Sequence, residues 1–200
     1  MPSALKMNHL KGLAICHGKS EVCLVKYITT NLHLNVRQYS KSNGKYSIQI
    51  TGLMDILNAK PFNTISSFTS EYPVEVKGKG KNKTLNDFKL FIIMDTDDCT
   101  VQQKKNFISK KMFEGHWMYD YIVPIYNSPS LEDVLLDVGI MAKRISDSEK
   151  GTYYEKIFPI NSKPLSNDTM CEVETFKSKV ANCKKTNILV FVDYCLSLLN

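Results

Sequence analysis

One segment constrains this chain more than any other: residues 90–94, LFIIM, an unbroken apolar run that stops abruptly at Asp95-Thr96-Asp97-Asp98. It is too short for a helix. With no polar residue at alternate positions it fits a strand buried on both faces, as in parallel sheets covered by helices on either side. Three carboxylates following such a strand repel one another in poorly solvated surroundings unless a cation neutralises them. The alternative is a solvated turn in which Asp98 only caps the next helix.

The rest of the chain alternates in kind. Residues 11–16 (KGLAIC) form a short apolar strand ending at His17-Gly18, and Val25, Ile28 and Leu32 then recur at helical spacing. Residues 35–41 suit a second strand, Gly44 marks a turn, and Ile50, Leu53, Met54 and Leu57 share a face of a helix over 47–58. Pro61 is placed to open another helix. The stretch 77–84 (KGKGKNKT) has no periodic apolar residue and reads as an exposed loop. Thr100 and Gln103 suit a capping box, and Val101, Ile108 and Met112 continue as an amphipathic helix. A further strand is expected at 121–125, a helix capped by Ser130 at 131–138, and helices at 170–182 and 187–199, the last also compatible with a strand. Strands alternating with helices predict an α/β fold with a mostly parallel sheet, helices on both faces and ligands outside the carboxyl ends of the strands. Residues 1–145 form that domain, and 146–200 a helical extension packed on it.

Composition sets the outer limits. With 200 residues, 43% apolar and 23% charged, the chain can fill one core and resembles neither a disordered nor a fibrous protein. No apolar stretch reaches the roughly 20 residues of a membrane-spanning helix. The first residues, MPSALKMNHLKGLAICHG, show no apolar signal core, and the six cysteines include no CxxC pair, so a reducing, cytoplasmic setting is expected. A formal charge of +6 suits an anionic partner such as nucleic acid.

Several side chains then become candidates. Glu21 falls on the buried stripe of the first helix, in its first turn, where it either points across the strand ends toward Asp95 or favours the helix N-terminus. Oxygen-only ligation by Glu21, Asp95, Asp97 and Asp98 suits a hard ion, magnesium or manganese. Gly18-Lys19-Ser20 looks like the end of a phosphate-binding P-loop, but that motif needs glycine at position 13, which is Leu13. Lys19 and the helix amides can still meet a phosphate. His17 is a ligand, a proton-transfer group or an ordinary hydrogen-bonded histidine. Lys79, Lys81 and Lys83, with Lys104 and Lys105, offer a track for a nucleic-acid backbone, or a solvated surface. Trp117, Tyr119 and Tyr121 either stack on bases or pack in the core.

The order strand, ICHGKSE, helix, and later a strand ending FIIMDTDD resembles the Toprim fold as used in OLD-type and RloB-type proteins. Those families carry an EGxxE-like turn and a DxD-like pair. Gly18 and Glu21 match the glycine and second glutamate, Asp95 and Asp97 match the acidic pair, and His17 stands where the family has its first glutamate. The segment from Asn127 to Glu132 resembles an RloB-type motif with proline before an acidic residue, which adds Glu132 as a ligand. The resemblance implies a Toprim-like, Rossmann-like sheet and a metal-dependent nuclease acting on DNA or RNA. It also implies a bacterial anti-phage defence system with an ATPase partner or a homo-oligomer. With His17 in place of the glutamate, the contrasting expectation is a catalytically silent module that binds protein or nucleic acid.

Overall fold

The computed structural model describes residues 9–146, 149–160, 165 and 167–199. Residues 1–8, which open the stretch read as lacking a signal core, lie outside the described residues. The chain runs through β1 (Gly12–Cys16), α1 (Lys19–Asn31), β2 (Val36–Tyr39), α2 (Leu53–Asn58), α3 (Ile65–Glu71) and a short hairpin, β3 (Val76–Lys77) with β4 (Thr84–Leu85). It continues through β5 (Lys89–Asp95), α4 (Val101–Ile108), β6 (Ile122–Asn127), α5 (Leu131–Asp137), α6 (Lys150–Ile157), α7 (Asn167–Val180) and α8 (Leu189–Ser197).

β1, β2, β5 and β6 form one all-parallel sheet in the order β2-β1-β5-β6, with Ile92 beside Ile15 on one side and Pro124 on the other. Because successive side chains leave a strand on opposite faces, β1 and β5 feed two cores at once. Leu13, Ile15, Leu90, Ile92 and Met94 join Leu53 of α2, Phe68 of α3 and Phe107 of α4. Ala14, Cys16, Phe91 and Ile93 join Val25 and Ile28 of α1, Val134 of α5, Phe176 of α7 and Phe191 of α8. Each such Leu, Ile or Phe taken from water contributes about 1.5–3 kcal/mol, which is why β5 carries only apolar residues from Leu90 to Met94.

The exposed edge of β6 is closed by the chain itself. The Asn187 side chain accepts from Tyr126 N at 2.8 Å and donates to Pro124 O at 3.0 Å, and Ser128 N donates to Lys185 O at 2.7 Å. A free strand edge invites pairing with another chain, and residues 185–187 occupy this one. α8 then crosses the sheet, where Phe191 meets Phe91 edge-on with ring centroids 5.0 Å apart. At its far end the Tyr194 hydroxyl donates to Lys11 O at 2.6 Å.

The structure corrects several local expectations. Pro61 does not open a helix; α3 starts at Ile65, because the Thr64 hydroxyl caps it by accepting from Ser67 N at 3.1 Å. The helix expected over 47–58 begins with a 3-10 turn at Ile50–Gly52, while residues 47–49 run extended and pair with the turn after β1. Residues 77–84 are not a plain loop but the exposed β3–β4 hairpin with a tight turn between. Within 187–199 the residues Leu189–Ser197 form a helix and no strand, and α6 answers to no element read from the sequence. Among the described residues, no helix is long and apolar enough to cross a membrane.

Candidate functional site

From β1 the chain moves outward to β2, and from β5 it moves the other way to β6. A sheet whose order reverses between two neighbours leaves a crevice outside their carboxyl ends, since the following segments diverge. Here a cavity of about 690 Å³ opens, lined by residues that include His17, Gly18, Lys19, Ser20, Asp95, Asp97, Glu132 and Tyr154.

Asp95 is the last residue of β5, paired with Asn127 across the register and only 7% exposed. Its Oδ1 takes two hydrogen bonds, from Leu131 N at the start of α5 at 2.9 Å and from Asn127 Nδ2 at 3.2 Å. Asn127 is itself held, its Oδ1 accepting from the Thr186 hydroxyl at 2.9 Å. Oδ2 accepts no hydrogen bond from the described residues, although the residue borders the cavity. Burial pushes the Asp95 carboxyl well above the ordinary range, the nearby Glu21 adds to the rise, and the two hydrogen bonds on Oδ1 oppose it.

Glu21 is fully buried beneath the cavity. Its Oε2 accepts from Gly18 N at 2.8 Å, which caps α1, and its charge acts on Asp95. Its Oε1 accepts from the Ser20 hydroxyl at 3.0 Å. A carboxylate has about four lone-pair positions, so these two bonds do not exhaust it. Tyr154 of α6 reports the convergence. Its buried phenol is pushed upward by desolvation and then by Glu132, Glu21 and Asp95, so three carboxylates from three parts of the chain act on one hydroxyl.

His17 Nδ1 lies 2.8 Å from Ile48 O, and Ile48 N donates to His17 O at 2.8 Å. A carbonyl only accepts, so Nδ1 carries the proton, and in neutral imidazole Nε2 holds the lone pair. Asp97 is exposed at the cavity wall. Asp98, by contrast, does not line the cavity; burial raises its carboxyl and the neighbouring His17 opposes that rise. Glu132 accepts from Ile145 N at 3.4 Å and stands 3.8 Å from Lys150 Nζ. Lys19 Nζ is 3.7 Å from Glu155.

The basic residues do not form one track. β3–β4 is tied to the amino ends of the strands, with Leu85 N donating to the Tyr121 hydroxyl at 3.0 Å and Leu10 N to Pro73 O at 2.8 Å. Lys79, Lys81 and Lys83 therefore stand at the opposite end of the sheet from Asp95, a strand length of roughly 20 Å away. Lys104 reaches the carboxyl end, where its Nζ donates to the Ser128 hydroxyl at 2.6 Å, and Lys105 is exposed. Trp117 packs against Phe68 and donates to Phe62 O at 2.7 Å, so its part is structural, as is that of the Tyr121 hydroxyl. Lys45, Arg144, Lys150 and Tyr154 line the cavity without having been singled out from sequence. Only their approach in three dimensions marks them.

Among the described residues, no three His, Cys, Asp or Glu side chains are grouped closely enough to hold a metal ion by themselves. Magnesium usually keeps several waters and takes one or two carboxylates, so Asp95 Oδ2 with Asp97 or Glu132 suits it as a donor set. In comparisons with known proteins, no family model, curated protein or solved structure matches this chain.

Proposed function

We propose that the chain is a metal-dependent phosphodiester hydrolase acting on nucleic acid. The observation that carries this reading is Asp95, a buried carboxyl at the end of β5 whose Oδ2 is unengaged and whose charged form is disfavoured by burial and by the nearby, fully buried Glu21. A divalent ion bound there supplies the neutralising charge and makes a coordinated water more acidic. Asp95 offers its unengaged Oδ2, with Asp97 and Glu132 on the adjoining walls. Lys19 and Ser20 bring helix-end amides, and Lys19 an ammonium, to the side of the cavity where a phosphate would bind. His17 Nε2, fixed in tautomer by the Ile48 carbonyl, is placed to hold or move a proton at the cavity mouth.

The test is cleavage of single-stranded DNA, RNA and structured transfer RNA with magnesium or manganese, by wild type, Asp95→Ala and Asp97→Ala. Cleavage that requires the ion and vanishes in both variants, with folding retained, is the expected result. No cleavage of any substrate, together with no calorimetric signal for either ion, would sink the proposal. A second reading, a silent module that binds a partner, draws support from the Glu21 carboxylate serving as a helix cap and from histidine at position 17.

A further inference from the structure

We infer that the cavity holds a subsite for the terminal phosphate monoester of a nucleotide, set beside the acids that would hold the ion; this rests on the hydrolase reading. Lys19 at the start of α1, Lys45 in the loop before α2, and Arg144 and Lys150 leading into α6 all line the same space. Three separate stretches of chain thus bring positive charge to one point. Two helices, of 13 and 8 residues, also turn their amino ends toward it through Gly18 and Gly151.

Two of these cations are open to an incoming anion. Lys19–Glu155 at 3.7 Å is too long for a hydrogen bond, and such an exposed pair holds its partners weakly. Arg144 is ion-paired with Asp133, and Lys150 stands 3.8 Å from the largely buried Glu132, so a phosphate would share these two with their acids. Lys45 makes no ion pair with the described residues, and its ammonium lies 5.7 Å from the centre of the Tyr46 ring. The nine-tenths-buried Asp95, with Oδ2 unengaged, marks the other wall as made for a charged ligand rather than for packing.

The arrangement also separates a strand end from a strand interior. A polymer backbone carries one charge per phosphate and is followed by cations spread along its path. Here the hairpin lysines lie at the other end of the sheet, and the cations at the cavity are clustered. A clustered set matches a monoester, which carries about −1.5 to −2 charges at neutral pH and accepts bidentate bonds from arginine. A volume of about 690 Å³ admits a nucleotide unit.

The experiment measures binding, not turnover. Fluorescence anisotropy with calcium replacing magnesium would compare an eight-nucleotide single strand bearing a 5′- or 3′-phosphate with the same strand lacking it and with its circular form. At least a tenfold preference for one phosphorylated end is expected. It should shrink to less than threefold in Arg144→Gln/Lys150→Gln and in the exposed-loop variant Lys45→Gln, whose folding is the safer of the two. Competition by adenosine monophosphate would assign the site to free nucleotides, and its failure to strand ends; either supports the terminal phosphate. Equal affinity for the plain, circular and phosphorylated strands would overturn it, as would no binding at all. Phosphate preference without cleavage would remove the hydrolase reading and leave the subsite standing. Cleavage without the preference would do the reverse.

Discussion

Asp95 places a carboxyl where the fold disfavours its charged form, and its pH behaviour follows. Its carboxyl is raised by burial and by Glu21, so in the metal-free protein the folded state binds that proton more tightly than the unfolded chain does. Stability from this group is therefore present at low pH and is lost as pH rises from the ordinary carboxylate value toward the raised one. Asp95→Asn should melt higher than wild type at neutral pH, by roughly 2–4 °C for each kcal/mol relieved, with the gap closing near pH 4. A thermal melt series without metal checks this, and equal melting temperatures at neutral pH would contradict it. The same substitution should abolish calorimetric magnesium binding.

Gly44 is the second residue whose chemistry is forced. Its φ is +82°, and an added Cβ would lie 2.8 Å from Lys19 Cα and 2.9 Å from Lys19 N. Alanine there meets both an unfavourable backbone and the backbone of the turn that follows β1, at a cost of about 1–3 kcal/mol. Gly44→Ala should lower the melting temperature and weaken ligand binding together, whereas Gly52→Ala, which meets nothing within 4 Å, should do neither. The sequence marked Gly44 as a turn but not what it touches, because contact with Lys19 joins segments more than twenty residues apart.

Among the elements, legibility followed how much of the reason was local. β5 could be read because every residue from Leu90 to Met94 is apolar, and α4 because Thr100 and Gln103 cap each other within one turn. α6 could not: it buries Tyr154, while Tyr153 and Ile157 stay half-exposed, so its apolar stripe is too thin to stand out from the charged residues around it. Glu21 was anomalous in sequence, a carboxylate on a buried stripe, and structure shows it capping α1 while acting on Asp95. The segment 185–187 was invisible, since Asn187 acts only by reaching β6. Asn187→Ala removes both of its bonds and leaves Tyr126 N without its partner, at a cost of about 1–3 kcal/mol. Urea unfolding should show a lower midpoint with an unchanged slope. Truncation at Thr186 goes further, uncovering Phe91, and should abolish cooperative unfolding.

For the whole molecule, the separation of charges decides which lysines matter. Lys79→Gln/Lys81→Gln/Lys83→Gln should leave kcat/KM on a short substrate within about twofold, because these side chains lie a strand length from Asp95 and are screened over roughly 10 Å at ordinary salt. Lys19→Gln should reduce it at least tenfold. If the hairpin variant loses activity as Lys19→Gln does, bound substrate must span both ends of the sheet.

The bonds from Thr186 to Asn127 and from Asn127 to Asp95 join the fate of the acidic site to a segment made late in the chain. While residues 186–195 are still inside the ribosome, β6 has a bare edge, Phe91 is uncovered and Asn127 lacks one of its anchors. A chain in the course of synthesis thus carries its acidic residues without the framework that sets their geometry. On the proposed hydrolase reading, such an order of events would keep the nascent chain harmless to the message it is being read from.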